Sequence, residues 1–276
     1  PAVPVEVSGE RALEEGRNFV QLGPRVSGTG GAERAANNLA ERLRALGVEA
    51  EIQEFRDRAP GGELVFGNVV GRIPGTGGGM ILFGSHYDTK AGIAEDFEGA
   101  NDSGSSTGLL LELARVFRED APHAMEIRLA FFDGEECAEA YGPADGLHGS
   151  RRLAAQMEAD GSLKAVAAMI LLDMVGDRNL TVTIPRNSTP ELVAKAFDAA
   201  RAEGVRRAFQ LYPGHILDDH VPFLERGVPA INLIDFHYGS ATGLNDWWHT
   251  PEDTMDKLSA ESLDVVGRVT ARMVRE

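Results

Sequence analysis

Apolar runs that end on a carboxylate, or just before one, constrain this chain most. They are "MILFGSHYD" (80–88), "IRLAFF" (127–132) before Asp133, "AVAAMILLD" (165–173) and "VPAINLID" (228–235). Their apolar residues are continuous rather than alternating, as in strands covered on both faces. Segments with helical spacing lie between them. "STGLLLELARVFRE" (106–119), "GSRRLAAQME" (149–158) and "PELVAKAFDAARAEG" (190–204) are the clearest. The alternation predicts an α/β fold with one domain over residues 1–276, in three αβα layers. Its mostly parallel, twisted central sheet would be flanked by helices.

The remaining segments fill in that plan. "RAANNLAERLRALG" (34–47) places Ala35, Leu39, Leu43 and Leu46 on one helical face and stops at Gly47. Strands are expected at 48–55, 67–73, 180–184 and 208–212, with helices at 221–227 and 259–274. No linker rich in Pro or Ser divides the chain, and no internal repeat is present.

Bulk properties exclude several function classes. With 27 basic against 43 acidic side chains the formal charge is −16, so the surface is unsuited to tracking phosphates, and nucleic acid is not an expected partner. Cys137 stands alone and excludes an intrachain disulfide. The longest apolar run, "AVAAMILL" (165–172), is too short to cross a bilayer, so no membrane insertion is expected.

In an open α/β sheet, ligands bind beyond the carboxyl ends of the strands. Those ends carry His86 and Asp88, then Asp102 in the following loop, Asp133-Gly134-Glu135-Glu136, and Asp173. "DDH" (218–220) and "WWHT" (247–250) stand near the C-terminus. Singly, each has a plain structural reading. A strand-end His is usually a hydrogen-bonded surface residue, Glu-Glu a solvated turn, and "GANDSG" (99–104) a helix start capped by Asp102 or Ser103. Their coincidence at ends expected to converge points to a metal site. Imidazole and carboxylate ligands without thiolate suit zinc with an open coordination position. Glu136 would bind the ion while Glu135 stays free as a general acid/base, which gives two adjacent anions separate uses. Asp88 would orient the His86 imidazole or a neighbouring ligand.

These residues resemble the zinc exopeptidase superfamily, and more closely its glutaminyl-peptide cyclotransferase (glutaminyl cyclase) branch. The resemblance runs from "GPRVSGTGGAERA" (23–35) to "WHTPEDTMDKLS" (248–259), through "SHYDTK", "GANDS", "FFDGEE", "LHGSRRLA", "LLDMVGD" and "DDHVPFLERGVPAINLID". It implies a zinc enzyme acting on peptide or protein N-termini. A cyclase would hold one zinc through Asp102, Glu136 and His249. Its sister branch, the aminopeptidases, would add a second zinc at His86 and Asp173, with Asp102 as the bridge and Glu135 activating water. The Asp pair at 218–219, Trp248 before His249, and Ser103 after Asp102 favour the cyclase. In that reaction Glu135 moves the proton, Asp218 and Asp173 hold a supporting hydrogen-bond network, and Trp248 and Tyr141 wall the substrate pocket.

Two features depart from the animal cyclases. Ser85 and Ser105 stand where those enzymes have a cysteine pair, and Tyr141 stands where a second pocket Trp is usual. A non-catalytic peptide-binding relative is a third reading, opposed by the retained Glu135 and the full ligand set. The chain begins "PAVPVE", without an initiator Met or apolar leader, as in a trimmed, mature form. Family habit adds the expectation of a secreted or periplasmic monomer. Trp247, His220 and Cys137 read as packing residues. His123, His148, His215 and His237 have no motif context.

Overall fold

The computed structural model describes residues 4–275. In chain order its elements are α1 (Gly9–Val20), α2 (Gly30–Ala45), β1 (Glu49–Ala59), β2 (Gly62–Ile73), β3 (Met80–His86), α3 (Ser106–Glu119), β4 (Glu126–Phe132), α4 (His148–Ala159) and β5 (Val166–Asp173). There follow β6 (Val182–Pro185), α5 (Pro190–Ala202), β7 (Phe209–Tyr212), α6 (Val221–Leu224), β8 (Ala230–Ile234) and α7 (Ala260–Arg275).

The main sheet has six strands in the order β1-β2-β4-β3-β5-β8. β4, β3, β5 and β8 run parallel, while the β1–β2 hairpin joins β4 antiparallel. Side chains of successive residues point to opposite faces of a strand, and each face here has its own core. Leu129, Phe131, Phe83, Ile170 and Leu172 pack with α1, α2, α3, α5 and α7. Ala130, Phe132, Leu82, Met169 and Leu171 pack with α4 and α6. This two-sided burial explains the continuous apolar runs, and the architecture is the expected mixed α/β three-layer fold with a mostly parallel sheet.

Several elements differ from the sequence reading. The segments at 48–55 and 67–73 extend into a hairpin turning at Pro60-Gly61. β6 and β7 pair with one another in a separate two-stranded sheet. Beside β8, the Thr183 hydroxyl replaces ladder bonds, donating to Ile234 O at 3.1 Å and accepting from Phe236 N at 3.0 Å. α1 has no counterpart in the sequence reading. Its buried face is mostly small residues, Gly9, Ala12 and Gly16 beside Phe19 and Val20, opposite an exposed face with Glu10, Arg11, Glu14 and Arg17. The Ser8 hydroxyl caps it by accepting from Arg11 N at 3.3 Å.

Candidate metal centre and active site

The carboxyl ends of β3, β4 and β5 and the segments around 218 and 249 converge at one end of the parallel strands. β3 ends in His86, which is 1% exposed. The chain then loops to an irregular turn, Ala100–Ser105, in which Asp102 and Ser103 leave helical geometry and the N-cap position, Gly99, makes no side-chain bond. Asp102 is therefore not a helix cap. It points its two oxygens at two histidines: Oδ1 lies 2.9 Å from His86 Nε2, and Oδ2 lies 3.3 Å from His249 Nε2.

Two residues to which the sequence reading assigns no role hold this loop. Arg25, fully buried, donates from Nε to Tyr87 O at 2.9 Å, from Nη1 to Glu98 O at 2.9 Å and from Nη2 to Gly99 O at 3.1 Å. Asp253 accepts from Asn101 N at 2.7 Å, Asp102 N at 3.2 Å and the Tyr238 hydroxyl at 2.8 Å. Gly99 is required between them. Its φ is +52°, and a Cβ there would sit 2.5 Å from Asp102 O.

Asp88 does not hydrogen-bond His86. Its Oδ1 lies 3.4 Å from Nδ1, which has no hydrogen-bond partner among the described residues. Instead it accepts from the backbone N–H groups of Glu135 and Glu136, each at 3.1 Å. One buried carboxylate thus fixes the backbone that carries both glutamates, and with it the candidate ligand Glu136. The two side chains diverge from there. Glu136 Oε1 lies 3.0 Å from His249 Nε2, whereas Glu135 Oε1 accepts from the Tyr141 hydroxyl at 2.9 Å. His249 occupies the left-handed region at φ 55°, an uncommon conformation for a non-glycine residue and one concentrated at functional sites.

Potential ligand atoms of Asp102, Glu136 and His249 lie within 4.8 Å of one another, as do those of His86, Asp102 and Asp173. Zinc bonds of about 2.0–2.2 Å at tetrahedral angles separate donor atoms by roughly 3.3–3.6 Å. The His249 contacts of 3.3 and 3.0 Å lie at and just inside that spacing. Glu136 Oε2 and Asp173 Oδ1 are buried without a hydrogen-bond partner among the described residues. The donor set and its unpaired oxygens fit a divalent cation.

The electrostatics agree. Burial, followed by the Asp102 charge, raises the Glu136 carboxyl to about 7. Burial disfavours the His249 cation, yet Asp102 and Glu136 raise its pKa to about 10. Burial likewise raises Asp102, but His249 and His86 overcome it and hold that carboxyl below the usual range. Burial holds Glu135 and Asp218 well above the carboxylate range, and the Asp173 and Asp219 charges add to it at Asp218. Asp218 accepts from Asn232 Nδ2 at 2.7 Å and from Asp219 N at 2.6 Å.

A cavity of 220 Å³ opens onto these groups, lined by Asp102, Glu135, Asp173, Asp218 and His249 below and by Tyr141, Tyr212, Phe236 and Trp248 around it. Trp248 stacks on His249 at 4.1 Å, and Phe236 meets its ring edge-on at 5.2 Å. A larger groove of 580 Å³, between the start of α2 and the β1–β2 hairpin, shares none of these convergent ligands.

The sequence pattern of peptidase family M28 matches residues 68–274. The chain belongs to peptidase family M28. A glutaminyl-peptide cyclotransferase-like protein of Bos taurus is 32% identical, over 91% of this chain and 72% of its own. Among solved structures, an Acidobacteriales bacterium glutaminyl cyclase is 36% identical, with a TM-score of 0.93 over 100% of this chain and 97% of that one. A Zn-dependent exopeptidase from Parabacteroides distasonis, 28% identical, superposes with a TM-score of 0.86 over the whole of both chains.

Around the M28 site, other sequence expectations resolve as follows. Trp247 packs on Tyr238 at 5.4 Å, and His220 is buried with Nε2 3.1 Å from Asn187 Nδ2. Cys137 is buried, with Lys90 Nζ 3.1 Å from its sulfur. His148 pairs with Asp57 at 2.9 Å, away from the ligands. His215, to which the sequence assigns no role, lines the cavity with Tyr212 and Phe236. Arg25 and Asp253 fall within the stretches that carry the resemblance but have no role assigned there, because an isolated Arg or a turn Asp is ordinarily solvated.

Proposed function

We propose that this chain is a zinc-dependent glutaminyl-peptide cyclotransferase, converting the N-terminal glutamine of peptides to pyroglutamate with release of ammonia. One observation carries the reading. Beside the Asp102–Glu136–His249 cluster, Glu135 faces a small aromatic-walled cavity with its pKa held high and no metal-type contact to His249. Asp102, Glu136 and His249 would hold one zinc ion. Bound there, the ion supplies Lewis acidity to the γ-carbonyl of the substrate glutamine.

The chain's own residues do the remaining work. Glu135 accepts a proton from the attacking α-amine and returns it to the departing amide nitrogen, so one C–N bond forms, one breaks and ammonia leaves. Asp218, fixed by Asn232 Nδ2 and Asp219 N, holds with Asp173 the network behind the reacting amide. Trp248 and Tyr141 narrow the entrance and keep water from competing with the amine.

The His86–Asp102–Asp173 cluster supports a second reading, a di-zinc aminopeptidase in which Asp102 bridges two ions. One experiment separates them. Zinc-loaded protein is incubated with Gln-Ala and Leu-Ala dipeptide derivatives, and the products are identified by mass. Ammonia release from the first with the second intact is the expected result; cleavage of Leu-Ala would establish the aminopeptidase instead.

A further inference from the structure

Tyr141 stands where the cyclase resemblance leads one to expect tryptophan, and its hydroxyl does something a hydrocarbon wall cannot. It donates to Glu135 Oε1 at 2.9 Å. Burial, then the Glu135 and Glu136 charges, raise the phenol far above its ordinary pKa, so it remains a donor.

The loop that delivers this hydroxyl is built for the purpose. Asp145 accepts from three consecutive backbone amides, Ala138 N at 2.6 Å and Glu139 N and Ala140 N at 2.9 Å each. Arg151 Nη1 donates to Gly142 O at 2.7 Å, on the far side of Tyr141. Gly146 leaves the room the ring needs: a Cβ there would lie 2.5 Å from Tyr141 Cδ1. The ring is thus clamped before and after in sequence and seated against bare backbone. A side chain serving only as a wall requires no such aim.

We propose that Tyr141 is a positioning residue that holds Glu135 through Oε1 and leaves Oε2 as the oxygen that exchanges protons with the substrate. The proposal rests on Glu135 being the proton carrier, as in the function proposed above. A carboxylate fixed by one oxygen loses rotational freedom about its terminal bond, which shortens the search for the productive geometry at the transition state. The effect should therefore fall on kcat rather than on substrate affinity.

A double-mutant cycle with zinc-loaded enzyme and a Gln-Ala amide tests this. Tyr141→Phe keeps the ring and removes the hydroxyl. It is expected to lower kcat by about tenfold, with KM changed less than about twofold. Zinc content and thermal midpoint should match the wild type. In a Glu135→Gln background, Tyr141→Phe should cost nothing further, because the group it positions is already disabled. An equal additional loss in that background would show that Tyr141 acts without Glu135 and overturn the proposal, as would a change confined to KM. If the wild type cleaves Leu-Ala instead of cyclising Gln-Ala, the proposed function falls. The same cycle is then read on that hydrolysis, since Glu135 is the proton carrier in either reaction.

Discussion

Glu135 and Glu136 are neighbours in sequence with a common backbone anchor at Asp88, yet their carboxyls face different partners. That divergence makes their substitutions separable. Glu135→Gln should retain zinc and lose turnover by about 10²–10⁴-fold, the usual worth of a positioned acid/base. Glu136→Gln should lose the metal itself, because the neutral amide is a poor ligand and His249 is left with Asp102 alone. Metal analysis of the purified variants beside kcat measurements checks both; a zinc-replete, fully active Glu135→Gln would remove the proton-carrier role. The candidate ligands stood out in the sequence by their coincidence rather than singly, as His and carboxylate residues at ends expected to converge. The structure brings ligand atoms of Asp102, Glu136 and His249 within 4.8 Å of one another. The groups that hold them did not stand out. Arg25 spends its hydrogen bonds on backbone carbonyls, and Asp253 spends its own on backbone amides and a tyrosine, partnerships that arise only when distant segments meet.

The least legible element is α1, and it helps to seat the turn that carries Asp102. α1 crosses α3 where glycines meet: a Cβ on Gly108 would lie 2.4 Å from Ala12 O, and one on Gly16 would lie 2.9 Å from Gly104 O. Gly104 belongs to the same Ala100–Ser105 turn as Asp102, so the packing of α1 bears directly on the site. Sequence periodicity finds helices by their large apolar residues. The amphipathic spacing of α1 is present, but small residues hold most of its buried face, so a reading keyed to large apolar residues passes over it. Gly108→Ala removes a flexible helix residue, which taken locally favours the helix by up to about 1 kcal/mol. Overpacking against backbone costs more, typically about 1–3 kcal/mol. The variant should therefore be less stable than the wild type in chemical denaturation. A midpoint at or above that of the wild type would mean that α1 gives way at little cost.

Across the whole molecule the formal charge is −16, and part of that acidity is concentrated behind the cavity rather than spread over the surface. Glu136, Asp219 and Asp253 are each raised to about 7, first by burial and then, at Glu136 and Asp253, by the Asp102 charge. Unfolded, such carboxyls titrate near 4. Between about pH 4 and 7 the metal-free folded chain therefore binds protons that the unfolded chain has released, and its stability falls as pH rises through that interval. A cation held by Asp102, Glu136 and His249 keeps Glu136 ionised and removes its share of this penalty. Proton competition for the ligands acts in the same direction, since zinc binds more tightly as they deprotonate. The stabilisation given by zinc, about 4 kcal/mol at a thousandfold excess over Kd, should thus widen from pH 5 to pH 8. Thermal midpoints measured with saturating zinc and with a chelator should draw apart over that range, and in Asp102→Asn they should stay close together. A gap independent of pH, or one undiminished in Asp102→Asn, would mean that the ion binds elsewhere than among these buried carboxylates.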